Sequence, residues 1–443
     1  MEKTLILGFA SKTGMALIEY FSRYNMPYSI SDVKENVNLE FINNLMRKPD
    51  NIFLGKHTPE QLNGVSRIII SPGVSRNIDI LKDAEKRGIS VDSEISFALN
   101  ILKNKKIKVV GITGTDGKST TCKLTYEILK TTYNSYLLGN FGTPLVSMID
   151  DIKDGDIVVL ELSSYQLEDG EKYRINIATI TNIAEDHLDR YISIDEYRKA
   201  KEKIFINQED DDIAVINLDN EYSKIWGSLT RAKKIYFSTD RKTDIYINNS
   251  AIYYHDKEIV KLEDIKLKGE ANLKNIMTAI GCSVELVPIE LIRDTIKCFK
   301  GLYHRCEYVG TVNGITFIND SKATTVQAVN NALSVADNNI ILILGGQDKN
   351  LDFKKLEINR NKDRIKAIIC YGEAKDKIKN SLDFPLIKDT YKFDDAFNIA
   401  ISIAKSGDTV VLSPGCTSFD QFTSYEERGK RFVDLVKEYE SKI

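Results

Sequence analysis

The sequence predicts an α/β protein of three tandem domains, and three observations carry that prediction. The chain has 443 residues, too many for a single hydrophobic core and suited to about three. Apolar strand segments followed by amphipathic helical segments start afresh three times along it. Each strand runs into a glycine-bearing or polar loop, where open parallel sheets gather ligands. The boundaries fall at 1–102, 103–301 and 302–443.

The first domain is Rossmann-like. It opens with "TLILGFASKTGMALIEYFSRYNMPYSISD" (4–32): apolar strand, glycine-bearing turn, amphipathic helix, second strand and a closing acid, Asp32. "SRIIISPGVS" (66–75) adds a short apolar strand that ends in Pro72-Gly73, next to Ser71. The polar run "KNKK" (103–106) reads as a linker.

The central domain begins with strand "KVVGITG", a glycine loop and helix "STTCKLTYEILK". This is the order of a P-loop ATPase-like parallel sheet. Further strands are "DIVVLELSS", "IATITNI" and "DIAVINLD", and "KIYFS" with "IYINNSAIYYH" predicts a small antiparallel patch near 234–268. The helix following "GEANLKNIMTAIGCSVEL" closes the domain near residue 301. The last domain is again Rossmann-like: "GITFINDS", helix "TVQAVNNALSVA", then "NIILILGG", "IKAIICYG" and "DTVVLSPG".

Composition excludes several classes of function. Lys+Arg of 61 against Asp+Glu of 64 leaves a net charge of −3, so no positive field favours nucleic acid. Six cysteines stand apart with no CxxC pair, which speaks against a zinc knuckle or a disulfide framework and for a reducing, cytoplasmic setting. No apolar run approaches the roughly 20 residues of a membrane span, and the N-terminus shows no signal-peptide pattern. A monomer is expected.

Candidate chemistry sits at the strand ends. In "GITGTDGKST" (111–120) backbone amides and the following helix start can cradle phosphate; Lys118 reaches the β/γ-phosphates and Ser119 a magnesium ion. The spacing departs from GxxxxGK[ST], since Gly111 stands one place too early. Glu161 in "LELSSYQLE" is a magnesium ligand or an ordinary strand-end acid. "NIAEDHLDRY" (182–191) groups His187 with acids. "SIDEYRKAKEKIF" (193–205) has a capping box, Ser193 to Glu196, and an inner stripe of Ile194, Tyr197, Lys201, Ile204 and Phe205. Lys201 on that stripe is either snorkelling or chemically altered. "NDSKATT", "GGQDKN" and "SPGCTSFDQFTSYEERG" are ligand loops or helix caps.

Seven segments in order, "GTDGKST", "ELSSYQLE", "EDHLDRY", "YRKAK", "HRCE", "NDSKATT" and "SPGCTSFDQF", resemble the Mur ligase family over nearly the whole chain. The resemblance is greatest to members that add D-glutamate to UDP-N-acetylmuramoyl-L-alanine. It implies a UDP-binding first domain, a central ATP-binding domain, and a C-terminal domain that recruits the amino acid and closes over the other two. It implies ATP and two magnesium ions. Gly114, Thr115, Asp116, Gly117, Lys118, Ser119 and Thr120 would hold phosphates, and Asn272 and Asn275 would lie near adenine. Arg305, Asp320 and Lys322 would reach the nucleotide from the last domain. Glu161, His187 and Ser119 would ligate metal, with Lys201 carbamylated as an anionic ligand. Asn140 in "LLGNFGTP" would touch substrate, as would Asp186 and Arg190. Thr324, Lys349, Ser418 and Tyr425 would surround D-glutamate, and Asp32 and Ser71 the uridine.

This sequence departs from the family pattern at several points. Asp116 stands where asparagine is usual, Tyr425 where phenylalanine is, and Gly415 where alanine is common. "GFASKTG" is one residue longer than the usual turn, and "GGQDKN" replaces a GGDGK-like run. Another Mur-type or folylpolyglutamate-type ligase would share the ATP site. A nicotinamide oxidoreductase would need GxGxxG in place of "GFASKTG", and a non-catalytic nucleotide switch would ignore both substrates.

Overall fold

A computed structural model describes residues 3–37, 39–184, 190–267, 269–336, 339–348 and 351–443. Two compact units emerge, Met1–Phe299 and Lys300–Ile443. The first carries two sheets and the second one.

The first sheet has five parallel strands in the order Ile52–Leu54, Tyr28–Asp32, Thr4–Leu7, Arg67–Ile70, Ser90–Ser93. Strands Thr4–Leu7 and Tyr28–Asp32 are buried along their whole length, as expected where helices cover both faces. Helix Lys12–Arg23 packs its Ala16, Leu17, Ile18, Tyr20 and Phe21 side into the core.

Nine strands make the second sheet. Its parallel part runs Ser135–Gly139, Ile157–Glu161, Lys108–Thr113, Ile177–Ile180, Ile213–Asn217, Lys233–Ser238, Ile245–Asn248. Ala251–Tyr254 and Lys257–Lys261 extend it antiparallel. The antiparallel patch is therefore shorter than the sequence suggests: Lys233–Ser238 pairs in parallel on both sides. It follows a helical crossover, Ser223–Leu229, and such a crossover returns the chain in the same direction.

The third sheet runs Glu307–Val312, Ile315–Asn319, Thr409–Gly415, Ile340–Gly345, Ile365–Tyr371, Ile387–Thr390, with only the first pair antiparallel. In all three sheets the predicted ligand loops stand at the C-terminal ends of the parallel strands.

Candidate active site

The glycine loop joins strand Lys108–Thr113 to helix Lys118–Leu129, and two of its glycines are required by geometry. Gly114 has φ +141°, and a Cβ there would lie 1.9 Å from Thr181 Oγ1. Gly117 has φ +79°, and its Cβ would lie 2.2 Å from Asn275 Oδ1. The loop is tied to the next strand end. Thr115 N donates to Asn182 O at 3.0 Å, Asp116 N to Asn182 Oδ1 at 2.9 Å, and Thr181 Oγ1 to Asp116 O at 2.6 Å. Gly117 is the N-cap in a left-handed conformation and makes no side-chain cap hydrogen bond, and a helix N-terminus of this kind is where phosphate oxygens can bind. Lys118 Nζ donates back to Thr115 O at 2.6 Å. Ser119 is buried at the helix start.

Glu161 ends the neighbouring strand and is 2 % exposed. Asn140 Nδ2 donates to its Oε1 at 2.7 Å, while Oε2 is buried and accepts no hydrogen bond among the described residues. Gly139 permits this approach, since a Cβ there would lie 2.5 Å from Glu161 O. Lys201 comes from helix Ile194–Glu202 and is 1 % exposed. Its Nζ donates to Thr113 Oγ1 at 3.2 Å and lies 4.7 Å from the Tyr197 ring centre. Thr113 Oγ1 in turn donates to Leu162 O at 2.6 Å, the residue after Glu161. The loop, Glu161, Asn140 and Lys201 are thus gathered at one sheet end, with Asn275 against the loop and donating to Asn272 Oδ1 at 3.3 Å.

Other expected residues have different engagements. Arg190 makes two hydrogen bonds to Glu168, at 2.9 and 2.7 Å, donates to Pro72 O at 3.4 Å and lies over the Tyr165 ring. It links the carbonyl of Pro72 to the helix Ser164–Leu167 and its cap residue Glu168. Both Asp32 oxygens accept backbone amides, from Ala10 at 2.9 Å and Lys34 at 3.0 Å. Ser71 Oγ lies 2.9 Å from Ser11 Oγ. Asp186, His187 and Lys349 lie outside the described residues.

In the second unit, loop 319–325 meets the loop that follows Thr409–Gly415. Asp320 Oδ1 accepts from Cys306 N at 3.1 Å and Oδ2 from Ser413 Oγ at 2.9 Å; burial pushes its carboxyl up to about 7. Lys322 Nζ lies 5.5 Å from the Tyr425 ring centre, and Ser418 is buried nearby in sequence. Burial lifts the Tyr425 hydroxyl to about 12. Thr324 is partly buried on the same loop as Asp320 and Lys322. Arg305 precedes Cys306 on the chain, and its charge acts on the Asp320 carboxyl.

The sequence reading passes over Arg428. This fully buried guanidinium bonds Ser321 Oγ and O, Cys416 O, Thr417 O and Tyr371 OH, and so binds both loops together. Its signal was present: Arg428 stands three residues after Tyr425, on the same helix face. Asn182 and Thr181, which lace the glycine loop, give no such signal.

Family comparisons match this chain in three successive segments. Residues 2–93 match the Mur ligase MurD-like N-terminal domain, 112–283 the Mur ligase middle domain, and 304–416 the Mur ligase glutamate ligase domain. The UDP-N-acetylmuramoylalanine--D-glutamate ligase of Clostridioides difficile is 33% identical over 98% of both chains. The protein of that name from Acidobacterium capsulatum is 36% identical over 98% of this chain and 96% of its own. The fold is shared with the solved UDP-N-acetylmuramate-alanine ligase MurC of Thermotoga maritima (TM-score 0.59, 20% identity, 100% of both chains). It is shared too with a Thermotoga maritima MurF ligase solved with ADP (TM-score 0.57, 16% identity, 86% of this chain and 90% of that one). With end-to-end relatives at a third identity and all three segments matched in order, the chain belongs to the Mur ligase family.

Proposed function

We propose that this chain is an ATP-dependent, ADP-forming amide ligase that joins D-glutamate to UDP-N-acetylmuramoyl-L-alanine in peptidoglycan synthesis. The end-to-end relatives support the reaction. Inside the molecule one observation carries the chemistry: the unmet, buried Oε2 of Glu161 beside an open phosphate cradle.

A carboxylate is a poor electrophile, because displacement at its carbon would expel oxide. The substrate carboxylate oxygen therefore attacks the γ-phosphorus of ATP, the bond to the bridging oxygen breaks, and ADP leaves. The amine of D-glutamate then attacks the acyl phosphate carbonyl and loses a proton, and phosphate departs with its electron pair. The loop amides bind phosphate oxygens, and Lys118 exchanges Thr115 O for them. Asn140 holds the Glu161 carboxylate in one orientation.

An orphaned carboxylate oxygen in a buried site is costly unless a cation meets it, and carboxylate and hydroxyl oxygens suit magnesium. Glu161, Ser119, His187 and Lys201 as its carbamate would hold two such ions. Bound magnesium neutralises charge between the phosphates and the substrate carboxylate. Carbamylation also removes the burden of a buried ammonium at a position 1 % exposed.

On this reading residues 1–102 take the UDP end near Asp32 and Ser71, and Asp186 and Arg190 serve the bound substrate. Residues 103–301 take ATP, with Gly114 to Thr120, Asn272 and Asn275. Residues 302–443 take the amino acid near Thr324, Lys349, Ser418 and Tyr425, with Arg305, Asp320 and Lys322 toward the nucleotide. Among the described residues no helix is long and apolar enough to cross a membrane. The enzyme works as a monomer in the cytoplasm, where ATP is available.

Phosphate release tests the proposal. It should require UDP-N-acetylmuramoyl-L-alanine together with D-glutamate in a panel of D- and L-amino acids. Release with a different amino acid, or without any, would overturn it.

A further inference from the structure

Lys201 is brought to the phosphate loop by one short helix, Ile194–Glu202, which is gripped on two sides. On the loop side Tyr197 OH lies 3.2 Å from Thr115 Oγ1, and Lys201 Nζ meets Thr113 Oγ1. On the other side Arg198 and Glu202 form a buried ion pair, one helical turn apart. Trp226, from helix Ser223–Leu229, donates its Nε1–H to the same Glu202 Oε1 at 3.1 Å. Arg198 also binds Asp195 and lies 5.2 Å from the Tyr222 ring centre. Trp226 is fully buried and is the only tryptophan in the chain.

A buried ion pair is a poor source of stability, since apolar side chains of similar volume commonly hold a helix as well or better. What it provides is uniqueness. Glu202 Oε1 accepts from two donors at once: Arg198, one turn back on the same helix, holds the carboxylate in place, and Trp226 reaches it from another helix, so a small rotation or slide of the helix breaks the Trp226 bond. Glu202 follows Lys201 directly, so the two project about 100° apart around the helix axis. Fixing Glu202 against Trp226 therefore fixes where Lys201 points.

We propose that Glu202, clamped by Arg198 and Trp226, is a positioning residue for the ligation: it sets the rotation of this helix so that the Lys201 amine meets Thr113 beside the phosphate loop. The inference rests on Lys201 serving the reaction as proposed above, but its first readout does not.

That readout is limited acylation of the full-length protein with acetic anhydride, followed by peptide mass mapping. Acylation at buried Lys201 is compared with that at exposed Lys199 in the same helix. In Glu202→Gln and Trp226→Phe the Lys201-to-Lys199 ratio should rise about five-fold, because the helix samples rotated states. Turnover should fall about ten-fold with the KM for ATP within about two-fold. Trp226→Phe keeps the aromatic packing and removes only the N–H donor, so it decides the matter even where Glu202→Gln unfolds. The double variant Arg198→Met with Glu202→Leu separates positioning from folding. It should melt at or above the wild-type temperature yet keep slow turnover and raised Lys201 acylation. An unchanged acylation ratio in Trp226→Phe, or wild-type turnover in the double variant, would overturn the proposal. Full turnover in Lys201→Ala would instead remove the role proposed for Lys201 and leave the acylation result standing.

Discussion

Helix Lys12–Arg23 and helix Lys118–Leu129 each follow a strand inside a parallel sheet and a glycine-bearing turn, yet their N-termini are finished differently. In the first, Ser11 Oγ accepts from Gly14 N at 3.0 Å, so one first-turn amide is already engaged. Its Gly14 serves packing: a Cβ there would lie 2.4 Å from Phe9 Cα. In the second, the cap is Gly117 and no side chain closes the end. Its glycines let the loop press against Thr181 and Asn275. The two ends carry the same dipole. What separates them is the cap: a serine hydroxyl closes the first end, and a left-handed glycine stands at the second.

The largest effect should come from damaging the open end. Gly117→Ala puts a Cβ against the Asn275 side chain at a left-handed φ, so the loop is strained and either it or Asn275 must shift. Its kcat/KM for ATP should fall about 1000-fold, as should that of Lys118→Ala, measured as ADP release. Retention within about ten-fold of wild type would break the comparison. Glu161→Gln keeps the oxygen that Asn140 holds but removes the charge, so turnover should fall about 100-fold and the magnesium requirement should rise. A chelator should silence the wild type, and turnover in its presence would remove magnesium from the scheme.

What the sequence made legible divides by position in the sheets. Interior strands such as "TLIL", "RIII" and "IILILG" are apolar because both faces are covered, and each was readable as a strand. Edge strands were not. Ser90–Ser93 reads "SVDS", Ile387–Thr390 reads "IKDT", and Ile52–Leu54 has only three residues; half-exposed edges need no apolar run. The site follows the same division. Gly114, Gly117, Lys118, Glu161 and Lys201 sit in local patterns from which their proposed roles can be read. Arg428, Glu202 and Trp226 act through partners distant in sequence, and no local spacing announces a tertiary contact. On helix Ile194–Glu202 the 3.6-residue stripe identified Lys201 and Tyr197 as inward but missed Arg198 and Glu202, which are buried as a pair on another face.

A third N-terminus is closed by a group from elsewhere. Val146 N, at the start of the short turn Leu145–Met148, donates to Glu94 Oε1 at 2.7 Å. Glu94 is fully buried, and burial pushes its carboxyl from 4.5 up to about 7. The folded protein therefore holds this proton more tightly than the unfolded chain. The resulting stability is complete below about pH 4.5 and is lost as pH rises through about 7. The apparent Tm should fall between pH 5 and pH 8. Glu94→Gln, which keeps an oxygen for Val146 and cannot ionise, should show a shallower fall, the difference reaching on the order of 3 kcal/mol. Asp320, also lifted to about 7, contributes a slope of the same sign, so the variant's fall is reduced and not abolished. Parallel Tm curves for the two proteins would show that Glu94 is ionised in the fold.

The smallest effect should come from opening the closed end. Ser11→Ala frees the Gly14 amide and removes the hydroxyl beside Ser71, but it inserts nothing into the turn. Loss of a serine cap costs about 1 kcal/mol, a fall of about 2–4 °C in apparent Tm for a unit of this size. Turnover should stay within about two-fold, because the proposed function places the reacting phosphates at the other helix. The KM for the UDP-linked substrate is the sharper measure. If it stays within about three-fold, Ser11 is a cap and little else, and the two helix starts differ as described. If it rises ten-fold or more at unchanged Tm, the hydroxyl itself meets the substrate. The first helix would then reach its ligand through the side chain of its cap, which the glycine cap of the second cannot do.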